Sequence, residues 1–370
     1  MNLNIDVHVI QSVPPSNLNR DDTGSPKTGV YGGVRRARVS SQAWKRATRR
    51  DFEGYLDKSE FGVRTKRAVE LLSARILALD PSLDTEAADA KATAVLNAAG
   101  LQTKAKRKAV EGDRELTEYL VFFSNLQLDK LAALAIESGE QPSGRDAKQI
   151  LKEGNSFDVA LFGRMVANDA DLNVDAACQV AHALSTHAVT NEFDYYTAVD
   201  DENPDAETGA GMIGTVEFNS ATLYRYATVN VAALQGNLGQ AEATGRAVEA
   251  FVRSFVQSMP TGKQNTFGNG TLPEAVVVMA RQGRAVNLVG AFEEAVSDRD
   301  GGFVKASCQQ LADYAAEVAG AYANAPVATW IVRVGERTAP LDGLSGERVD
   351  LDSLVAEVGS LVRESVAESA

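Results

Sequence analysis

Apolar and polar residues alternate in some segments of the chain, and other stretches repeat apolar residues every three or four positions. Alternation is typical of strands, whereas spacings of three and four are typical of amphipathic helices. Residues 3–9 and 221–234 alternate, and residues 274–281 and 327–334 are predicted to be strands as well. Because strands and helices recur along 370 residues, the pattern predicts an α+β sheet domain.

Two insertions interrupt this alternation. Residues 58–189 are expected to be almost wholly helical, with helices near 64–79, 85–99, 114–137 and 174–189. Around residues 193–220, two alternating runs flank a polar, glycine-containing tip, which predicts a protruding hairpin. Strands and helices arranged around two insertions favour a ferredoxin-like or RRM-like sheet domain.

The connection after the first strand is long and rich in glycine and proline. We expect a loop over residues 12–33, a strand over 34–39 and a helix that begins at Ser40 or Ser41 and ends near residue 56. Serine is a preferred residue at a helix start because its hydroxyl accepts a hydrogen bond from a free backbone N–H. A loop of this length inside a compact domain is usually functional or disordered.

Basic residues concentrate at the amino-terminal end of an acidic chain. The net charge is −13, yet residues 1–50 carry nine Lys or Arg against three Asp. Residues 35–50 hold seven basic side chains and no acid. Because a local patch determines affinity for a nearby polyanion, this end of the chain favours nucleic-acid binding.

The predicted helix after Ser40 places its basic side chains on one face. At about 100° per residue, the face spans an arc of about 140°, and Trp44 lies on the opposite side. A polyanion along this face would relieve the repulsion between like charges four residues apart. The alternative interpretation is a solvated basic face. The face consists of Gln42, Lys45, Arg46, Arg49 and Arg50.

Two loops offer further contacts for a polyanion. The glycine-rich loop contributes Arg20 and Lys27, and residues 260–270 combine Lys263 and Gln264 with an aromatic residue. Cations, amides and aromatics together are typical of single-stranded nucleic-acid sites. A simple polar turn explains residues 260–270 equally well.

Other chemistry has little support in the sequence. The Asp21-Asp22 and Asp200-Asp201 pairs suit a metal-dependent nuclease, but adjacent carboxylates in an extended chain point apart. Turn caps or ion pairs are the favoured interpretation. The histidines and cysteines show no metal-ligand spacing. We predict a cytoplasmic protein without metal, cofactor, signal peptide or membrane span.

Six short motifs occur in order along the chain. They are LNRDD at 18–22, YGGVRRARVSSQ at 31–42, DVALFGRM at 158–165, AHALSTH at 181–187, DYYTAVDD at 194–201 and YRYA at 224–227. Together they resemble the CasC family, the backbone subunits of type I-E CRISPR effector complexes (Cascade). The resemblance covers most of residues 1–300.

The resemblance implies a hand-like architecture. A palm would comprise residues 1–57, 182–192 and 221–370, helical fingers residues 58–181, and a hairpin thumb residues 193–220. It also implies a non-catalytic subunit that stacks in several copies on the CRISPR guide RNA and presents it to target DNA in antiviral defence. Its partners would include large, small, guide-capping and guide-processing Cascade subunits.

The resemblance also implies individual contacts. Met165, Tyr196 and Thr197 would form a wedge between base steps. Lys104, Lys106, Arg107 and Lys108 are candidates for target-DNA contact, with a solvated charge run as the alternative. A metal-dependent ribonuclease subunit, as in type III complexes, and a monomeric RNA chaperone are the competing functions. The guide-RNA contacts would be Arg20, Lys27, Ser40, Gln42, Lys45, Arg46, Arg49, Lys263 and Gln264.

Overall fold

The computed structural model describes residues 3–105, 113–139, 141–198, 212–297 and 301–368, and it confirms the predicted α+β class. The strands are β1 (Leu3–Ser16), β2 (Thr28–Tyr31), β3 (Val34–Val39), β4 (Gly62–Thr65), β5 (Thr103–Lys104), β6 (Leu116–Thr117), β7 (Val121–Ser124), β8 (Cys178–Val180), β9 (Ala183–Ser185), β10 (Glu192–Ala198), β11 (Met212–Asn230), β12 (Ala275–Gln282), β13 (Ala328–Arg333) and β14 (Glu347–Arg348). The helices are α1 (Ser41–Asp51), α2 (Ala68–Leu79), α3 (Thr85–Ala98), α4 (Asn125–Glu137), α5 (Gly144–Lys152), α6 (Phe157–Phe162), α7 (Val231–Leu238), α8 (Ala241–Gln257), α9 (Gln264–Phe267), α10 (Val304–Tyr322) and α11 (Leu351–Ala367).

The chain divides into two compact units, each formed from three separate segments. Unit 1 comprises Met1–Asp51, Val180–Thr228 and Phe251–Val358. Unit 2 comprises Phe52–Gln179, Val229–Ala250 and Gly359–Ala370. No helix in the described part of the chain is long and apolar enough to span a membrane.

The main sheet has the strand order β14-β13-β12-β1-β11-β9-β3-β2, and β8 and β10 also pair with β11. β1 is antiparallel to β12 and is buried along most of its length on both faces. The sequence predicted a half-buried strand, which is wrong because the alternating polar residues of β1 are buried too. Asp6 accepts a hydrogen bond from the Tyr226 hydroxyl at 2.9 Å and pairs with Arg281 at 3.2 Å.

Each unit has its own apolar core. In unit 1, helix α10 packs on the sheet face that carries Ile10, Tyr224 and Val277. In unit 2, helices α2 to α5 pack around Leu72 and Phe123, next to the two-stranded β4-β7 sheet.

Several predicted elements are corrected by the structure. The expected loop over residues 12–33 is shorter, because β1 continues to Ser16 and β2 pairs with β3. Pro14 and Pro15 are exposed near the end of β1. Proline has no backbone N–H to donate, and at the end of a strand this removes few hydrogen bonds from the sheet. The connection that remains, residues 17–27, borders the site described below.

The segment predicted to be almost wholly helical contains short strands. The expected helix at 174–189 is wrong, because β8 and β9 join the main sheet there. Strands of three residues are too short to show alternation, and their partners are distant in sequence. The strand predicted at 221–234 ends at Asn230, whose side chain accepts the Ala233 N–H at 2.8 Å and begins α7.

Candidate nucleic-acid interface

Helix α1 has the amphipathic arrangement predicted from its sequence. The Ser40 hydroxyl accepts a hydrogen bond from the Ala43 N–H at 3.4 Å, and the Ser40 N–H donates to the Asn19 side chain at 2.9 Å. Trp44 and Thr48 are buried against the rest of unit 1. The first turn contains no acidic residue, so no carboxylate of the helix offsets the partial positive charge at its start, which favours an anion there.

An open groove of about 1440 Å³ lies beside α1 within unit 1. Three segments form it: the connection after β1, helix α1, and the chain from the end of α8 to Leu272. Its lining includes both of the loops and the helix that the sequence singled out. The groove is therefore built from segments more than 200 residues apart in the chain.

Hydrogen bonds hold the first wall in position. The Asn17 amide donates to the Gly24 carbonyl at 2.9 Å and to the Glu217 carbonyl at 3.0 Å. The Asp21 carboxylate accepts from the Thr23 N–H at 2.9 Å and hydroxyl at 2.7 Å. These hydrogen bonds lower the pKa of Asp21. Asp21 is thus a turn cap, the interpretation that the sequence favoured; Asp200 and Asp201 lie outside the described residues.

The second wall depends on a close backbone approach at Gly262. A Cβ atom there would lie 2.6 Å from the Asn17 carbonyl oxygen and closer still to that of Leu18, so only glycine fits without displacement. Lys263 follows in the left-handed region at φ 51° and precedes α9. The Phe267 ring lies 5.7 Å from that of Phe218 on β11.

The groove carries a net positive charge. Its described lining has five cations and three carboxylates, and one of the carboxylates, Asp51, accepts a hydrogen bond from Ser254 at 2.8 Å. Among the described residues, Arg46 and Arg50 form no salt bridge, and both are exposed. The cations are Arg20, Lys27, Arg46, Arg50 and Lys263.

The structure brings most of the predicted guide-contact residues to this one groove. Lys45 and Arg49 are half-buried, are engaged in interactions of their own and do not line it. Arg50 lines the groove although the resemblance did not single it out. The predicted residues that line it are Arg20, Lys27, Ser40, Gln42, Arg46, Lys263 and Gln264.

A second group of arginines is buried and structural. Arg36, part of the basic stretch in the sequence, is fully buried and donates to the Thr186 carbonyl at 2.7 Å and the Phe292 carbonyl at 2.9 Å. Arg225 lies 3.7 Å from the centre of the Trp44 ring and donates to Gln11 at 2.6 Å. Burial lowers the pKa of Arg225 to about 9. Arg36 is therefore not part of an exposed cationic surface.

The residues predicted to form a wedge fall in different units. Met165, in unit 2, is 78% exposed, so packing in a core does not explain it. Tyr196 and Thr197 lie on β10 of unit 1 and are exposed, and the Tyr196 ring occupies the space that a side chain at Gly214 would need. The hairpin of β10 and β11 is present as predicted, and its tip lies outside the described residues.

Of the residues predicted to contact target DNA, only Lys104 is described. Its ammonium group pairs with Glu118 at 2.6 Å, which raises the pKa of Lys104. Lys106, Arg107 and Lys108 lie outside the described residues.

The fold and the groove together define an α+β protein with a cationic surface channel assembled from distant segments. A family model described as CT1975-like protein matches residues 5–357, and the chain belongs to that family. The comparison with curated proteins gives no match.

Two solved structures are similar over nearly the whole chain. A chain of a "CRISPR RNA-guided surveillance complex, pre-nicking" is 36% identical, with a TM-score of 0.84. The match covers 96% of this chain and 100% of the solved one. A chain of a "CRISPR RNA-guided surveillance complex" is 31% identical, with a TM-score of 0.73 and coverages of 96% and 99%.

Proposed function

We propose that this protein is a non-catalytic RNA-binding backbone subunit of a CRISPR guide-RNA complex. The observation that carries the proposal is the groove, which gathers seven of the nine residues that the family resemblance implies as guide contacts. The full-length similarity to chains of RNA-guided surveillance complexes supports the same assignment.

The groove suits a chain of phosphates. Its cations and the start of α1 face an open channel, so they can neutralise phosphates without reading the sequence. Sequence selection is then left to base pairing between the guide and its target. Several copies side by side would present a continuous guide, and such head-to-tail contacts form open filaments.

The finer assignments belong to the same proposal. The complex is type I-E Cascade, and the protein works in the cytoplasm beside the large, small, guide-capping and guide-processing subunits. Residues 1–57, 182–192 and 221–370 form a ferredoxin-like, RRM-like palm, residues 58–181 the fingers and residues 193–220 the thumb. Met165, Tyr196 and Thr197 act as the wedge, and the cations at 104–108 contact target DNA.

Copurification tests the proposal. The full chain is expressed with a CRISPR guide precursor and the remaining subunits of its complex, and bound RNA is extracted and sequenced. We expect guide-length RNA bound to several copies of the chain, seen as a ladder of species by sizing. A monomer without guide RNA would contradict the proposal, and cleavage of target RNA that stops on Asp22→Ala would favour the ribonuclease alternative.

A further inference from the structure

Two buried side chains in the groove have polar atoms without a partner among the described residues. Asn269 is 2% exposed, and its amide nitrogen forms no hydrogen bond there. Ser258 is 8% exposed, and its hydroxyl oxygen has no partner in the described structure either. Both residues line the groove. Buried polar groups are normally satisfied, so a ligand that reaches them would supply the missing bonds.

Hydrogen bonds hold the backbone at Ser258 and, two residues after Asn269, the side chain and carbonyl of Thr271. The Ser258 N–H donates to the Ser254 carbonyl at 3.0 Å, which continues the ladder of α8. Next to Asn269, the Thr271 hydroxyl donates to the Ser12 carbonyl at 2.8 Å, and Gln11 donates to the Thr271 carbonyl at 2.8 Å. Both side chains are also buried, so they lose little conformational freedom when a ligand binds.

Their chemistry differs from that of the groove cations. Both groups are neutral; the Asn269 amide nitrogen donates hydrogen bonds, and the Ser258 hydroxyl can both donate and accept. The cations nearby are the better partners for phosphate. A neutral pair with donors and acceptors matches the ribose 2′-hydroxyl, which also donates and accepts and which only RNA carries.

We propose that Ser258 and Asn269 bind a ribose 2′-hydroxyl of the nucleic acid in the groove, and so make the groove select RNA over DNA. The inference rests on the proposed function, because it needs a nucleic acid in the groove. The cations contact phosphates, which RNA and DNA share, so they do not distinguish the two. Ser258 and Asn269 contact the sugar, which differs between them.

The test compares single-stranded RNA and DNA of one sequence, and the same RNA with 2′-O-methyl groups. Binding is measured for the full chain and for the Asn269→Leu and Ser258→Ala variants. We expect the wild type to prefer RNA, and each variant to lose about threefold to tenfold in RNA affinity with DNA affinity unchanged. Asn265→Leu is the matched control, since Asn265 is exposed and outside the lining, and it should preserve the preference.

Thermal unfolding separates ligand recognition from a structural role. Because the Asn269 amide nitrogen and the Ser258 hydroxyl are buried and have no partner among the described residues, both variants should keep or raise the midpoint of unfolding. Equal loss of RNA and DNA affinity, or no preference in the wild type, would overturn the inference and leave the proposed function standing. If the wild type binds neither nucleic acid, the proposed function itself fails.

Discussion

Arg36 and Arg46 lie ten residues apart in one basic stretch, yet they occupy opposite environments. Arg36 is fully buried and donates only to backbone carbonyls, whereas Arg46 is exposed and lines the groove. Arg225 and Arg50 form a second such pair, since Arg225 is buried under Trp44 and Arg50 lines the groove. The same residue type connects buried groups in one place and presents charge at the surface in the other.

The difference follows from the donors of the guanidinium group. It has five N–H groups in a fixed plane, so a buried arginine can connect several carbonyls that strands and loops leave free. Arg36 connects the carbonyls of Ser185 and Thr186 with that of Phe292 in this way. We therefore expect buried arginines to control stability and groove arginines to control salt-dependent binding.

The largest expected effect is on Arg36. Arg36→Met would leave several buried carbonyls unsatisfied, so we expect a loss of about 3 kcal/mol or more in the free energy of unfolding. Denaturant unfolding measures it. The control is Arg35→Met, because Arg35 is the exposed neighbour, and it should change stability by about 0.5 kcal/mol or less. Similar losses of stability in Arg36→Met and Arg35→Met would contradict the distinction between buried and exposed arginines.

The next effect is on the close approach at Gly262. Gly262→Ala places a Cβ against the carbonyls of Asn17 and Leu18, so the two walls must separate. We expect a cost of about 1–3 kcal/mol and weaker RNA binding, measured by unfolding and filter binding. Gly343→Ala is the control, because Gly343 lies outside the groove lining and a Cβ there meets no atom within 4 Å. The explanation fails if both substitutions behave alike.

A smaller effect is the pH dependence of His8. Burial lowers the pKa of His8 from 6.5 to about 3, so between these values the unfolded chain binds a proton that the folded chain does not. Stability therefore falls as pH decreases below 6.5, by about 1.5–2 kcal/mol between pH 6.5 and pH 5. The free energy of unfolding is measured at pH 6.5 and pH 5 for the wild type and for His8→Asn. The difference between the two pH values should be smaller in His8→Asn, by about 1.5–2 kcal/mol. An unchanged difference would show that His8 is not the titrating group.

The sequence predicted the groove-facing helix but not the full groove. Capping by Ser40 and burial of Trp44 follow from residue type and helical period. The same period placed Lys45 and Arg49 with Arg46, and the structure separates them because the second wall stands beside only one flank of α1. That wall begins more than 200 residues later, and a helical period carries no information about it.

The sequence pattern does not identify polar residues that are buried. Asp6 and His8 gave β1 the alternation of a half-exposed strand, although both are buried in hydrogen bonds with Tyr226 and Tyr224. Arg36 was grouped with the exposed cations for the same reason. A polar residue is expected at the surface only if the protein interior offers it no hydrogen-bond partner. Such partners are often distant in sequence, so a local pattern does not reveal them.

The salt dependence of RNA binding tests the central claim most directly. Affinity for a single-stranded RNA is measured from low to high salt for the wild type, Arg46→Ala/Arg50→Ala and the control Arg35→Ala. If the groove arginines contact phosphates, the double variant binds more weakly and its slope of log affinity against log salt is shallower by ~1.4, or ~0.7 per contact. The control keeps the wild-type slope. A double variant with the wild-type affinity and slope would contradict the assignment of the groove as the guide-binding site.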